Sequence, residues 1–212
     1  MDITWHGSTC VSLKGKNATV VIDPYNEKMA GMKLPKLSPD VILANADSEL
    51  NHNLDIAGEQ TTVFDWPGEY EARAVIVQGV AAYDRPREKD TDKKDEALPV
   101  ILWSMNFDGF RICHLSNVGH KLTPEMLELI GNVDILFVPV GGDVGLNAGK
   151  AHEVIEQIDP RMVIPTNYTE AAAFLKEMGI HNPSYEKVLK IAAPSNLSQD
   201  QTEFKILEPV VG

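Results

Sequence analysis

Apolar residues in this chain come in short bursts, each closed by a polar loop. Asn17 to Ile22 and Pro39 to Leu43 are β-branched or aliphatic and bounded by turn residues, which predicts buried strands. The first runs into Asp23-Pro24-Tyr25 and the second into Ala44-Asn45-Ala46-Asp47-Ser48-Glu49, so each delivers side chains to a loop at its carboxyl end. Such loops are where sites are commonly built. A further strand is predicted over Ala72 to Val80, after Trp66-Pro67-Gly68-Glu69-Tyr70. Val100 to Phe107, a turn at Asp108-Gly109 and Phe110 to Leu115 predict a hairpin whose outgoing loop is Ser116-Asn117-Val118-Gly119-His120. Asp134 to Val140 predicts a strand ending in Gly141-Gly142-Asp143, and Met162 to Pro165 a short one leading into Thr166-Asn167-Tyr168. Thr123, Pro124 and Glu125 supply a capping hydroxyl, a first-turn proline and early negative charge, so a helix is predicted to about Ile130. Ala148 to Ile158 is amphipathic and helical, and a third helix is expected near Glu170 to Met178.

Composition narrows the class. A length of 212 residues suffices for one large domain, and no stretch rich in Pro, Gly or Ser divides it, so residues 1–212 are read as a single domain. The net charge of −12 repels phosphate backbones and anionic bilayers, which argues against nucleic-acid and membrane partners. No apolar run approaches a membrane span, and the start of the chain lacks the plan of a signal peptide. Cys10 and Cys113 are far apart and fit no zinc-knuckle or redox spacing, so a reducing, cytoplasmic setting is expected. Arg85 to Glu96 carries five basic and five acidic residues and reads as a mobile surface loop.

Several landmarks in order carry a family resemblance: Ile3-Thr4-Trp5 with Gly7 and Cys10, Val21-Ile22-Asp23-Pro24, Pro67-Gly68-Glu69-Tyr70-Glu71, Ile112-Cys113-His114-Leu115, Gly119-His120, Val138-Pro139-Val140-Gly141-Gly142 and Ile164-Pro165. Together they resemble the metal-dependent hydrolase branch of the metallo-β-lactamase superfamily, which includes ascorbate-6-phosphate lactonases. The resemblance implies an α/β fold, a four-layer αβ/βα sandwich of the metallo-β-lactamase type, with the site along one edge of two facing sheets.

It also implies a site, and there the chain departs from the family. Where the family carries His-x-His-x-Asp-His, this chain has Asn45, Asp47, Glu49 and Leu50. The next ligand histidine falls near Asp84, the bridging aspartate becomes Asn117, and the last histidine becomes Asn167. Neutral amides are poor zinc ligands and leucine offers no lone pair, so the di-zinc shell that would acidify a bound water is not expected. No metal is expected on this reading. The alternative is a hard cation, Mg, Mn or Ca, held by Asp47, Glu49 and Asp84 with amide oxygens from Asn45, Asn117 and Asn167.

Other polar residues have plainer readings. Asp23 matches a family aspartate near the ligands and, without them, caps a turn. His114, on a strand among apolar neighbours, reads as structural, and His120 matches a family histidine outside the ligand set. His52 is placed to swing toward the altered loop, although a lone loop histidine is more often solvated. Cys113 and His114, as strand neighbours, point to opposite faces, so a Cys/His dyad is not expected. Gly141 to Gly145 suggests either a tight turn or an anion cradle ahead of the helix at Ala148.

Two functions follow. The first is a hydrolase scaffold without hydrolysis, kept to bind a protein or a small molecule in the cleft. The second is a lactone or phosphoester hydrolase built on the carboxylate-rich hard-cation site. A third, metal-free chemistry on His120 or His52, lacks a nucleophile. Homo-oligomerisation is an expectation of the resemblance alone.

Overall fold

In the computed structural model, residues 1–86, 97–141, 145–169 and 171–212 are described. The strands are β1 (Asp2–Trp5), β2 (Val11–Lys14), β3 (Thr19–Ile22), β4 (Val41–Leu43), β5 (Thr62–Phe64), β6 (Gly68–Ala72), β7 (Val75–Tyr83), β8 (Pro99–Phe107), β9 (Phe110–His114), β10 (Ile135–Pro139) and β11 (Met162–Thr166). Short strands β12 (Tyr185–Glu186), β13 (Leu189–Lys190), β14 (Glu203–Phe204) and β15 (Ile206–Leu207) close the chain. The helices are α1 (Glu27–Ala30), α2 (Pro124–Ile130), α3 (Ala148–Ile158) and α4 (Ala172–Glu177).

One sheet runs β13-β1-β2-β3-β4-β5, a second β14-β11-β10-β9-β8-β7-β6, and β12 pairs with β15. The period-two alternation of each strand decides how the sheets meet. Ile3 and Trp5, Val11 and Leu13, Val20 and Ile22, Val41 and Leu43 all project from the inner face of the first sheet. They meet Val75, Val77, Ile101, Trp103, Met105, Phe110, Ile112, Ile135, Phe137 and Ile164 of the second. The alternate residues of the second sheet, among them Leu102, Cys113, Leu136, Val138 and Val163, pack with Ile130, Val154 and Phe174 of the helices. The outer face of the first sheet is covered more thinly, by Tyr25, Leu34 and neighbouring loop residues over Cys10 and Val21. This is the expected four-layer αβ/βα sandwich, with α1 and the short helical turn at Leu54–Ile56 in the place of long outer helices.

Parallel pairing sets where the loops go. β3, β4 and β5 are parallel to one another, as are β9, β10 and β11, so their carboxyl ends lie along one edge of each sheet. Asp23, Asn45, Asn117, Gly141 and Asn167 follow those ends. β8 starts at this same edge because it runs antiparallel to β9, with Trp103 opposite His114. Asp84, just past β7, is thereby brought to the edge beside Leu98.

The predicted strand over Ala72 to Val80 is interrupted: Ala72 ends β6, the chain turns at Arg73 and Ala74, and Val75 to Val80 lie in β7. Both turn residues are left-handed, with φ of 52° and 60°. Neither is the Gly, Asn or Asp that normally announces such a turn, so the pattern read as one strand. α2 starts at its predicted cap, Thr123 Oγ1 accepting from Met126 N at 3.3 Å. The predicted loop from Arg85 to Glu96 lies outside the described residues beyond Pro86, as does the middle of Gly141 to Gly145. Glu170, at the start of the third predicted helix, also lies outside them, and α4 begins at Ala172. No helix among the described residues is long and apolar enough to cross a membrane.

Phe137 is fully buried between the sheets and tilts against His114 at 5.6 Å between ring centres. Truncation to alanine should therefore cost about 3–5 kcal/mol of stability, read as a lower urea midpoint at unchanged slope. A loss below about 1 kcal/mol would mean that the inter-sheet core is not packed as described.

Candidate active-site cleft

The loop after β4 is folded on itself. Asn45 Nδ2 donates to Pro99 O at 2.8 Å, and Asn45 Oδ1 accepts from Asp47 N at 3.3 Å. Ser48 N donates to Asn45 O at 3.0 Å, and Asn51 N donates to Ser48 Oγ at 3.0 Å. Asn45 thus sits beneath the loop as a structural tie between β4 and β8. The turn after Asn45 buries that residue and leaves Asp47 and Glu49 exposed above it. Leu50 turns the other way, into the apolar cluster of Cys10, Val21, Tyr25 and Leu34.

Asn117 and Asn167 meet across the cleft, Asn167 Nδ2 donating to Asn117 Oδ1 at 2.9 Å. Asn167 is in turn fixed by its backbone N–H, which donates to Ser8 O at 2.8 Å. Asp84 is buried, accepts from Leu98 N at 2.9 Å, and pairs with Arg85 through both carboxylate oxygens at 3.2 and 3.1 Å. Gly119 lets the loop after β9 approach this segment, because a Cβ there would lie 1.7 Å from Asp84 O.

These residues enclose a cavity of about 460 Å³ lined by Asp47, Glu49, Leu50, Asn51, Asp84, Arg85, Leu98, Pro99, Val100, Asn117 and Met29. A second cavity of about 310 Å³ holds Asn167, Tyr168, Ser8 and Gly141 on the far side. Both cavities share Met29 and Leu50, so two apolar side chains divide the cleft. Of the candidate residues, Asp47, Glu49, Leu50, Asp84 and Asn117 come together in the first cavity. Met29, Asn51, Arg85 and Leu98 were not singled out from sequence; none belongs to a motif, and only chain geometry brings them in.

The histidines have other duties. His52 does not turn toward the altered loop: its Nε2 is 3.0 Å from Asp65 Oδ2, in a separate recess with Asn26 and Asp55. His120 Nε2 accepts from Tyr83 N at 3.2 Å while Nδ1 donates to Lys121 O at 2.7 Å, a neutral ring used as a brace between loops. His114 Nε2 donates to Thr9 O at 2.8 Å and its Nδ1 accepts from Ser116 N at 3.1 Å. Cys113 faces the helices rather than His114, and burial pushes its thiol up. Neither thiol nor histidine is poised for nucleophilic chemistry.

Behind the cleft lies a buried polar group with an unusual balance. Asp23 is fully buried with φ of 49°, its carboxylate 3.9 Å from His114 Nδ1. Ser116 and Thr9 stand near enough to offset part of the upward push of burial on its pKa, yet neither makes a well-formed hydrogen bond with it. The Ser116 hydroxyl donates instead to Ile101 O at 2.7 Å. Asp23 is therefore not the turn cap expected from sequence, because among the described residues its carboxylate accepts no backbone hydrogen bond. Burial pushes its carboxyl up from 3.8 to about 7, and burial pushes His114 down from 6.5 to about 4. Ser8, Ser116 and Asn167 share its left-handed backbone, with φ of 47°, 47° and 55°. Such strain at non-glycine residues costs on the order of 1 kcal/mol each and gathers at functional sites.

A metal is implied by the fold, and the donors decide against the family's pair of zinc ions. One amide is tied to Pro99, two are bonded to each other, and the Leu50 position is apolar. Among the described residues, no three His, Cys, Asp or Glu side chains converge closely enough to hold a metal ion.

Two facing sheets with a loop-built cleft along their shared edge define the metallo-β-lactamase fold, and the comparisons agree. The profile of the β-lactamase superfamily domain matches residues 2–167, and the chain belongs to that family. A UPF0173 protein of Pyrococcus furiosus is 36% identical over 185 residues, covering 79% of this chain and 83% of that one. A protein of Thermoplasma acidophilum named a UPF0173 metal-dependent hydrolase is 26% identical over 187 residues, with the same 79% and 83% covered. A crystal structure from Thermotoga maritima, provisionally named a Zn-dependent hydrolase of the metallo-β-lactamase superfamily, superposes with a TM-score of 0.73 at 26% identity, covering 98% of this chain and 99% of that one.

The buried pair makes stability depend on pH in two opposing ways. Between pH 3.8 and about 7 the folded chain keeps the Asp23 proton that the unfolded chain releases, so Asp23 lowers stability as pH rises through that window. Between about pH 4 and 6.5 the unfolded chain binds a proton that folded His114 refuses, so His114 raises stability as pH rises. In Asp23→Asn, stability should climb from about pH 4 to 6.5; in His114→Gln it should fall from about pH 4 to 7. Urea midpoints across this range measure both slopes, and equal slopes in the two variants would refute the assignment.

Proposed function

We propose that this chain uses the family's cleft to bind a small ligand and does not carry out di-metal hydrolysis. The supporting observation is the use of the ligand positions: Asn117 and Asn167 hydrogen-bond to each other, and Leu50 joins an apolar cluster. Bringing the pKa of a bound water to about 7 takes a cationic metal held by imidazoles or carboxylates in an open coordination shell. An amide pair and a leucine supply none of these. The cleft itself persists, at about 460 Å³ a size suited to a small organic ligand. The two cysteines, free and buried, support a reducing, cytoplasmic setting.

A second reading is a metal-dependent hydrolase of lactones or phosphoesters, with Asp47, Glu49 and Asp84 holding Mg, Mn or Ca. The names of the relatives favour it over the first, and the three carboxylates do line one cavity. Against it stands Asp84, whose oxygens already serve Arg85 and Leu98.

Elemental analysis of protein purified without chelator, before and after incubation with zinc, manganese and magnesium, separates the two. The expected result is substoichiometric metal under every condition, unchanged in the Asp47→Ala, Glu49→Ala variant. Stoichiometric metal that disappears in that variant would overturn the binding reading and make lactones and phosphoesters the substrates to screen.

A further inference from the structure

We propose that Asp23 is a proton switch for the cleft: when its carboxyl gives up its proton, the hydroxyls of Thr9 and Ser116 turn onto the carboxylate and the hydrogen bond between Asn117 and Asn167 loosens. The switch does not depend on which function the cleft serves. Asp23 is fully buried, and neither of its carboxylate oxygens has a hydrogen-bond partner, nor has the Thr9 hydroxyl beside it. A buried carboxyl can stand without partners only while it is neutral, because a bare charge in the interior costs far more than a bare acid. Ionisation therefore has to recruit donors.

Few donors are within reach. The loop after β1 brings Thr9 and Cys10 toward the carboxyl, and the end of β9 brings His114 and Ser116. Burial holds Cys10 as a thiol, which is a weak donor. His114 Nδ1, 3.9 Å away, is already engaged as the acceptor of Ser116 N at 3.1 Å, and burial holds its ring neutral. Among the described residues no lysine or arginine bonds to Asp23. The two hydroxyls remain. Thr9 Oγ1 has no other bond to give up, and Ser116 Oγ gives up its donation to Ile101 O at 2.7 Å.

Both hydroxyls belong to segments that carry the amide pair. Ser116 directly precedes Asn117, and Thr9 follows Ser8, whose carbonyl accepts from Asn167 N at 2.8 Å. Asn167 Nδ2 closes the circle by donating to Asn117 Oδ1 at 2.9 Å. A hydrogen bond weakens steeply once its angle is lost, so drawing in the backbones on which the two amides stand loosens their bond. Ser8, Asp23, Ser116 and Asn167 all have left-handed backbones, so the circle is strained at four points. Strain of that kind lets a segment hold two arrangements of similar energy, which a switch requires. Burial pushes the Asp23 carboxyl up from 3.8 to about 7, with the two hydroxyls offsetting part of the push, so the change falls close to neutral pH.

The test is NMR of the full chain from about pH 5.5 to about 8.5, following the Asp23 carboxyl carbon, the His114 ring nitrogens and the solvent exchange of the Asn167 side-chain amide. The Asp23 carbon should titrate once near neutral pH. Through that step the Asn167 Nδ2 protons, relative to those of an exposed asparagine in the same chain, should exchange about fivefold faster, the size of one net hydrogen bond. In Asp23→Asn, which keeps the neutral shape, the step should vanish. In Ser116→Ala, Asp23 should still titrate while the step at Asn167 shrinks. An Asp23 carbon that does not titrate in this range, or that titrates with Asn167 exchange unchanged, would overturn the switch, as would a step that persists in Asp23→Asn. A His114 ring that gains a proton as Asp23 loses one would overturn it too, since the charge would then be met by proton transfer with the hydroxyls left in place.

Discussion

The contact between two sheet faces is the constraint on which everything else here depends. Trp5, Trp103, Phe110 and Phe137 are buried in it, and they can be buried together only if β1 to β4 and β7 to β11 present the same parity of residues inward. A one-residue slip in any strand would turn that strand's apolar set to the wrong layer. Register is thus fixed across the whole sandwich, and with it the height at which each strand ends. The loops at the shared edge are placed by the core, whether or not a ligand fills the space between them.

The cleft is therefore placed by the core rather than by the side chains that line it. Asn117 and Asn167 stand where the loops put them, and once neither is charged the natural outcome is a hydrogen bond between them. The strained backbone at Ser8, Asp23, Ser116 and Asn167 is held by the same surroundings. Asp23 and His114 show the cost of this arrangement. Both are buried without a strong partner for charge, so the protein holds both in the neutral form near pH 6 rather than as an ion pair. Their partly opposing linkage hides that tension from a simple pH profile.

Among the described residues, Asp47 and Glu49 are exposed at the mouth of the cleft, and Arg85 pairs with Asp84. The division by Met29 and Leu50 separates the charged, acceptor-rich lobe from the lobe around Asn167. The family frame is shared with proteins named as metal-dependent hydrolases.

Local sequence determined much of this by itself. The apolar runs in Asp134 to Val140 and Val100 to Phe107 and the Thr123-Pro124 helix start marked elements, because strand and capping chemistry act over a few neighbouring residues, and the resemblance carried by the ordered landmarks from Ile3 to Pro165 implied the sandwich. Asn45, Asp47, Glu49, Leu50, Asp84, Asn117 and Asn167 were named as candidates from the resemblance, and Asp47, Glu49, Leu50, Asp84 and Asn117 line one cavity. What those residues do was decided only by tertiary structure. The amide pair joins positions fifty residues apart, the isolation of Asp23 depends on Ile101 drawing away the Ser116 proton, and His52 is diverted by Asp65. The β6 to β7 turn at Arg73-Ala74 was hidden as well, since its left-handed backbone is imposed by sheet pairing rather than by residue preference. Hydrogen bonding and burial in this site are properties of loops meeting across two sheets, and no short window of sequence contains both sides.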